Sequence, residues 1–543
     1  MVDSSLSRST TVGEVQQPLE LTETTSSVTK DHAVAQSDEP IVVVEKEKAT
    51  HVAALDDRPK AFSSIDLGKL LHKIDLRFLP ILSVLYLLSF LCRGTIGNAK
   101  TFGLSKNLHL TDQEYALALT VFFFSYAVFD VPANMILKKL RPSIWLPSVM
   151  VATSIVMTLT GIVQSGRGLI AARFFLGLVE AGLFPGVTYC ISCWYCRNEA
   201  QFRNALFFCA ASMAGAFAGL LAYGLHYMDG IGGLEGWRWI MIIEGLLTFV
   251  AAVPSYFLVQ DYPHTAKFLT AEERAFVEYR LRHDGEKAHS GTELPETSEE
   301  IDAENDAADT KPKLSYLKDI LLDYRIYLHI VIFWGIACPL YSISLFLPTI
   351  ILNLGYTSAK ANLLTVPIYI AACILALIVA YFSDKFQKRA IFVLGSCGIM
   401  IAGFIIAAAA PVSMPGLAYA GVFIAASGVY PGFPGMVAWC SNNLVGYKRV
   451  LGVGMQVGVG SFGGAMAMNF YRPQDAPQYV LGHCINIMFV ALAMIAIGVL
   501  YWDYSRENRI RDRLTDKDIA KMGKTEKELR ALGEKSPYFR YLM

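Results

Sequence analysis

The sequence is poor in charge for its length, and its charges balance. Only 17% of the 543 residues are Asp, Glu, Lys or Arg, and the 47 basic residues match the 47 acidic ones. A soluble domain carries about 25% charged residues. A net charge of zero argues against a nucleic-acid partner. Because 54% of the residues are hydrophobic and the mean hydropathy is +0.40, the composition predicts a polytopic membrane protein.

Signatures of nucleotide, zinc and hydrolytic chemistry are also missing. No Gly-rich phosphate loop follows a strand, and there are no two separated Cys-x-x-Cys motifs. No nucleophile, base and orienting residue can be assembled from recognisable motifs, so we predict that the protein is not an enzyme. The ten cysteines lie mostly in apolar runs, as Cys190, Cys193 and Cys196 do, where a thiol is ordinary packing. We predict neither a disulfide nor a metal site.

Apolar runs of bilayer-spanning length number twelve, because a spanning helix needs about 20 residues. They lie near 78–98, 114–138, 143–163, 169–195, 203–227, 237–259, 326–350, 360–382, 389–410, 415–440, 449–471 and 480–502. Two sets of six spans are typical of two related halves that rock around a midplane site. The predicted fold is therefore an all-α membrane protein with twelve transmembrane helices. In the tenth span, the Pro and Gly residues of YPGFPG, 430–435, predict a broken helix.

The segments outside the two halves, 62–260 and 325–505, are polar. Residues 1–61 contain no basic segment followed by an apolar run, so they are predicted to be a disordered tail and not a signal peptide. The acidic stretch 261–324 predicts a solvated linker, and 506–543 form a basic tail.

Lys and Arg in the short loops predict the orientation. If both ends are cytoplasmic, the inner loops hold Lys138, Lys139, Arg141, Arg197, Arg203, Lys385, Lys388, Arg389, Lys448 and Arg449. The outer loops hold fewer, chiefly Lys100, Lys106, Arg167, Lys360 and Arg472. The positive-inside rule then places both termini and the linker in the cytoplasm.

Two charges lie inside the apolar fourth span. Arg173 and Glu180 are seven residues apart, which places both on one helix face about 10 Å apart. Ionisable residues at membrane depth are rare, so the pair predicts either a transport site or a structural ion pair between helices. Glu180 is the candidate for proton coupling because burial and a nearby Arg shift carboxyl proton affinity in opposite directions. Glu244 in the sixth span is a second candidate; its alternative role is to hold Arg238 or a helix end.

Arg93 is the third charge of interest. It follows Arg77 by sixteen residues, or about 24 Å of helix, and so lies toward the outer half of the membrane. It either snorkels to the outer surface or, with Arg173, binds a carboxylate, whose geometry the planar guanidinium matches with two parallel hydrogen bonds. The aromatic residues of the second span would suit a substrate ring, although lipid contact is their commoner role; they are Phe122, Phe123, Phe124 and Tyr126.

Several motifs resemble the major facilitator superfamily. SDKFQKR, 383–389, is similar to its cytoplasmic loop signature, and RFFLGLVEAG, 173–182, looks like its fourth-helix motif. The first-half loop, DVPANMILKKLRPS from Asp130, keeps the basic residues but not the usual Gly and Asp pattern. CRGTIGNAK, EAGLFPG, GWRWIMIIEG and WCSNNLVGYKR together resemble the fungal branch of the anion:cation symporter family, which includes allantoate, nicotinate, pantothenate, biotin and cysteine permeases. RGTIGNAK, LLTVPIY and the SPYFRYLM terminus are most similar to nicotinate permeases.

This resemblance implies a proton-coupled importer of a small organic carboxylate, working as a monomer in the plasma membrane with the proton gradient as its energy source and no cofactor. It implies substrate binding by Arg93, Asn98 and Arg173. Its cytoplasmic gate residues would be Asp384, Lys385, Lys388 and Arg389. One departure is Cys92, which stands where the family usually has an Asp before the Arg, as Thr95 stands at the usual Asn. Loss of that carboxylate leaves the site more positive, which favours an anionic ligand.

Two other functions fit the same pattern. One is export of a metabolite by the same fold, which reduced accumulation on expression would reveal. The other is a nutrient sensor that does not transport, which would keep signalling in a Glu180→Gln variant without flux.

Overall fold

The computed structural model describes residues 65–137, 140–282, 318, 320–386, 388–514, 523, 529 and 533–543, and within these ranges the chain is helical with no β-strand. Its main helices are α1 (Leu67–Thr101), α2 (Asp112–Leu137), α3 (Pro142–Thr160), α4 (Gly166–Glu180), α5 (Leu183–Trp194), α6 (Arg197–Leu225), α7 (Gly236–Leu258), α8 (Ala271–Arg282), α9 (Tyr324–Asn353), α10 (Ser358–Phe386), α11 (Arg389–Ala409), α12 (Pro415–Asn442), α13 (Gly446–Ala467) and α14 (Val480–Asp512). The predicted tail 1–61, residues 283–317 of the predicted linker, and the loop residues Lys138 and Lys139 lie outside the described ranges.

Ten described segments are long and apolar enough to cross a membrane, with α4 and α5 together forming one of them. This confirms the all-α membrane fold. Helices α2 and α13, with 26 and 22 residues, have spanning length but are not among the ten. For these two helices the predicted count of twelve stays a prediction.

The expected helix break falls in a different span. The fourth span is interrupted at Ala181 and Gly182, between α4 and α5, where the sequence predicted a continuous helix. Pro185 has no amide proton to donate to the Ala181 carbonyl. The Gly182 carbonyl instead accepts a hydrogen bond from Trp145 Nε1 at 3.1 Å. A side chain on a neighbouring helix therefore replaces part of the helix's own bonding at the break.

The predicted break in the tenth span is wrong, because α12 continues through Pro431 and Pro434. Tight packing against α11 accounts for this. A Cβ on Gly428 would lie 2.7 Å from the Ser396 carbonyl oxygen, and one on Gly421 would meet the backbone of Ala407. Backbones this close keep the helix continuous through residues that would otherwise interrupt it.

Helices α1–α7 form the first half of the membrane domain and α9–α14 the second. We call the side where α1 begins and α14 ends the terminal face, and the opposite side the distal face. On the distal side the halves are in contact along α1 with α9 and along α6 with α10, which we call the distal seam. There a Cβ on Gly97 would clash with the Leu345 carbonyl, and Ser358 Oγ donates to the Thr101 carbonyl at 3.0 Å. The distal seam is therefore closed.

On the terminal face, ion pairs join helices of the same half. Arg203 binds Asp75 with two hydrogen bonds of 2.7 and 2.9 Å between α6 and α1. In the second half, Arg325 Nε lies 2.7 Å from Asp503 Oδ2, between α9 and α14. These pairs stabilise each half without tying it to the other.

Helix α8 lies in the segment that the sequence predicted to be a solvated linker. Leu269, Phe276 and Val277 are buried there, and Lys73 Nζ of α1 lies 2.7 Å from Glu273 Oε2. Although burial alone would raise the pKa of the Glu273 carboxyl, the hydrogen bonds from Lys73 and from the Thr270 amide lower it. The packed structure of the first half therefore continues to Arg282.

Residues 533–543, the C-terminal strap, cross the terminal face of the second half. The Leu542 carbonyl accepts hydrogen bonds from Trp439 Nε1 at 2.9 Å and Asn443 Nδ2 at 3.0 Å. The Tyr541 ring stacks on Tyr504 of α14 at 4.5 Å. The strap therefore connects α12 to α14. Much of the predicted tail, 515–522, 524–528 and 530–532, lies outside the described residues.

Two thiols provide a test of the distal seam. Cys209 of α6 and Cys373 of α10 are both buried and interact directly across the seam. The two helices are also close near these thiols, because Ser212 Oγ of α6 donates to the Tyr369 carbonyl of α10 at 2.8 Å, so we predict that a disulfide can form. Oxidation with diamide should link the halves, and uptake should fall until a reductant is added.

The link is detected by inserting a protease site within 283–317, cleaving, and running a non-reducing gel. The Cys397→Ser variant should still be linked, whereas Cys209→Ser and Cys373→Ser should not. Separation of the two fragments after oxidation of the wild-type chain would contradict the closed seam.

Candidate functional site

The centre of the membrane domain contains a buried ion pair between α1 and α4. Arg93 Nη2 donates to Glu180 Oε1 at 2.9 Å, and Arg93 Nε reaches the same oxygen at 3.3 Å. Ser89, one helical turn before Arg93, also donates to Glu180 Oε1. Arg93 is 6% exposed and Glu180 is fully buried. Arg93 therefore does not snorkel to a membrane surface.

Aromatic rings surround the Arg93 guanidinium. Its central carbon lies 5.5 Å from the Phe90 ring centre, 5.4 Å from that of Phe122 and 4.8 Å from that of Tyr126. A cation over a ring face is attracted by the ring quadrupole, most strongly where water is excluded. Three of the aromatic residues in the second span, Phe122, Phe123 and Tyr126, are buried in the protein, while Phe124 is exposed.

The second half reaches the same site through Tyr341 of α9. Arg93 Nη1 donates to the Tyr341 hydroxyl at 3.3 Å, and the Tyr341 ring lies against Phe123 at 4.5 Å. Arg93 is thus a point at which α1, α4 and the opposite half meet. A change in its charge partner can therefore affect the contact between the halves.

Close helix packing brings Glu180 to this position. A Cβ on Gly177 would clash with the Phe122 carbonyl and the Ser125 hydroxyl, so α4 approaches α2 closely only because residue 177 is Gly. Glu180 is the last residue of α4. A carboxylate is disfavoured at the negative end of a helix dipole, which makes the bond from Arg93 more important.

Arg173 and Glu244 lie in the interior of the first half. Arg173 is 2% exposed, and its Nε and Nη2 atoms have no hydrogen-bond partner among the described residues. Glu244 Oε2 accepts a hydrogen bond from Thr95, while its Oε1 has no described partner. Arg173 interacts electrostatically with both Glu180 and Glu244. These two nitrogens of Arg173 are therefore left for a ligand or water.

Arg238 does not need Glu244. Its Nε atom pairs with Glu235 at the start of α7, and its Nη1 donates to the Val163 carbonyl at 2.7 Å. In this structure Glu244 therefore does not hold Arg238 in place.

Cys92 and Asn98 lie on either side of Arg93 along α1. Cys92 Sγ is 3.5 Å from Thr248 Oγ1 of α7, in the region of Arg173 and Glu244. Asn98 lines a cavity between the halves, together with Ser344 and Tyr369 of the second half. The three predicted substrate-binding residues thus divide into two that face the opposite half, Arg93 and Asn98, and one within the first half, Arg173.

The four predicted gate residues lie at the terminal face of the second half. Arg389 is buried, pairs with Asp384, and donates to Ser383 Oγ at 3.2 Å; its backbone amide donates to the Met543 carbonyl of the strap. Lys385 and Lys388 are exposed. Their role as a gate stays a prediction.

Sequence reasoning missed Ser89 and Tyr341. Ser89 lies four residues before Arg93, so helical spacing could have placed it on the same face. Tyr341 is separated by 248 residues from Arg93, and no local pattern indicates which side chain of the opposite half will be in contact with it.

Comparison with known proteins identifies the fold. A profile of the Major Facilitator Superfamily matches residues 82–468. The chain belongs to the major facilitator superfamily. The MFS-type transporter cnsO of Penicillium expansum is 34% identical over 537 residues, which cover 97% of this chain and 98% of the relative. The major facilitator-type transporter hxnP of Emericella nidulans is 30% identical over 478 residues, covering 87% of this chain and 92% of the relative.

A solved structure shares the fold. A bacterial homolog of the human lysosomal transporter Spinster, inward-facing and unoccupied, has a TM-score of 0.57 and 15% identity, covering 80% of this chain and 96% of that chain. The family profile and the relatives named as transporters make the protein a multi-pass membrane transporter of the major facilitator superfamily. Members of this superfamily bind small-molecule substrates within the membrane.

The central ion pair can be tested by a double-mutant cycle. Arg93→Met leaves Glu180 buried without its cation, which should cost about 3–5 kcal/mol of stability. Adding Glu180→Gln removes the unpaired charge, so the double variant should melt at a higher temperature than Arg93→Met alone. The measurement is thermal unfolding of the purified proteins in detergent. Strictly additive effects of the two substitutions would show that the pair does not contribute as a unit.

Proposed function

We propose that the protein imports a small organic carboxylate anion together with a proton by alternating access. The observation that carries this proposal is the buried Arg93–Glu180 pair, which lies in contact with Tyr341 of the opposite half. A cation held by only one carboxylate at the joint between the halves is a position where an incoming carboxylate can compete.

The chemistry of the pair supports an exchange of partners. A substrate carboxylate that takes two hydrogen bonds from Arg93 Nε and Nη2 would displace Glu180, because these are the two nitrogens that bond to Glu180 Oε1. The released Glu180 would be a buried anion without a cation, and it would therefore take up a proton. Arg173, with unpaired donors in the first half, would add positive charge near the substrate.

The charges that move are consistent with uptake into a cell. A monovalent anion and one proton carry no net charge together. The membrane potential, worth about 2.3 kcal/mol per charge per 100 mV, would then not oppose import. Glu244 would be a second proton-binding carboxyl in the first half.

We further propose nicotinate or another vitamin-like or aromatic acid as the substrate class. The rings of Phe90, Phe122 and Tyr126 beside Arg93 provide surfaces on which a planar acid could stack. The resemblance of RGTIGNAK and LLTVPIY to nicotinate permeases points the same way. The membrane would be the plasma membrane, with the terminal face in the cytoplasm, and Asp384 and Arg389 would close the inner mouth.

The proposal is tested by uptake in yeast cells that lack their own carboxylate permeases. Labelled nicotinate should accumulate on expression, a protonophore should abolish the accumulation, and a competition panel of pantothenate, biotin, allantoate and aromatic acids should rank the substrates. Reduced accumulation on expression would instead indicate export.

The role of Glu180 is tested separately. Glu180→Gln should lose accumulation driven by a pH gradient but keep exchange of labelled for unlabelled substrate, because a permanently neutral side chain leaves Arg93 free for the anion. Glu272→Gln, which changes an exposed carboxylate on α8, is the matched control and should behave as the wild type. Full proton-driven accumulation in Glu180→Gln would remove Glu180 from the coupling mechanism.

A further inference from the structure

A buried carboxyl outside the central pair has no ion-pair partner in the part of the chain that the structure describes. Asp130 of α2 is 2% exposed, and its Oδ1 atom lacks a hydrogen bond to any described residue. Carboxyls at membrane depth are rare and usually functional. Asp130 lies seven residues, or about two helical turns, before the end of α2 at the terminal face.

Asp130 lies where the two halves meet. A Cβ on Gly458 of α13 would be 3.7 Å from Asp130 Oδ2, so the carboxyl faces the backbone of the opposite half. Farther along the same contact between α2 and α13, the Phe123 ring lies against Gly464. A Cβ added to Gly464 would clash with this ring. Helices α2 and α13 belong to different halves, so the Asp130 carboxyl loses this neighbour if the halves separate at the terminal face.

Among the side chains that the structure describes, no cation is recorded against Asp130. Tyr126, one turn earlier on α2, is its titratable neighbour, and the face of the Tyr126 ring already contacts the Arg93 guanidinium. On α13 the nearby amide Gln456 is directed to α9, with Nε2 at 3.5 Å from the His329 carbonyl. On α4, which packs against α2, the Phe174 ring meets the ring of Phe129, the residue before Asp130, edge to face. Burial without a cation disfavours the ionised form of such a carboxyl.

We propose that Asp130 is a second proton-binding carboxyl, which must be protonated for α2 and α13 to close and which releases its proton to the terminal face when they separate. The bond that breaks is the carboxyl O–H, and water at the opened terminal face accepts the proton. This inference rests on the proposed alternating access but not on the identity of the substrate. Proton release at Asp130 then becomes linked to the opening of one face.

A purely structural Asp130 behaves differently. A carboxyl that only fills space beside Gly458 stays neutral in every conformation, and pH then has no effect on the contact between α2 and α13. The two cases can therefore be separated without any substrate.

The experiment is hydrogen–deuterium exchange of the purified full chain in lipid nanodiscs, with rates corrected for the intrinsic effect of pH. In the wild type, peptides that cover Asp130 and Gly458 should exchange at least about threefold faster at about pH 8 than at about pH 5.5, because ionised Asp130 opens the contact. In Asp130→Asn the same peptides should stay slow at both pH values. Asp112→Asn, an exposed position at the start of the same helix, is the matched control and should respond as the wild type does.

Two results would overturn the inference: no pH response in the wild type, which needs no variant to fold, or the same response in Asp130→Asn. If the pH response is present but no carboxylate is transported in any assay, the proposed substrate class fails while the role of Asp130 stands.

Discussion

The buried pair of Arg93 and Glu180 is the constraint on which the rest of the membrane domain depends. Neither charge is tolerated alone in an apolar interior, so α1 and α4 must remain close enough for a direct bond. That closeness in turn requires Gly177 on α4, where any larger residue would clash with α2. The aromatic rings around Arg93 shield the pair from water. The hydrogen bond from Arg93 to the Tyr341 hydroxyl connects the opposite half to the pair.

The fold was predictable from hydropathy, and the pairing of charges was not. Apolar runs of spanning length and a polar interruption in the middle indicate two helical halves without any knowledge of packing. Spacing along α4 correctly placed Arg173 and Glu180 on one buried face. It could not reveal that Glu180 bonds to Arg93 on α1, because helical periodicity defines a face and not the helix that lies against it.

The two proline-containing spans show why local signals gave the wrong location for the break. YPGFPG has two prolines and yet remains helical, while EAGLFPG has one and is interrupted. The difference lies in the neighbours. Glycines 421 and 428 hold α12 against α11 at backbone contact, whereas at Gly182 the indole of Trp145 bonds to the carbonyl that the interruption exposes. Both neighbours are distant in sequence, so no local pattern could separate the cases.

The α8 helix and the C-terminal strap have a mechanical consequence. Each binds the ends of several helices within one half on the same face, through Lys73 and Glu273 in the first half and through Trp439 and Leu542 in the second. Helix α8 thus holds helix ends of the first half together, and the C-terminal strap does the same in the second half. These contacts stiffen each half at its own helix ends, so the stiffness of one half at this face does not depend on the other half.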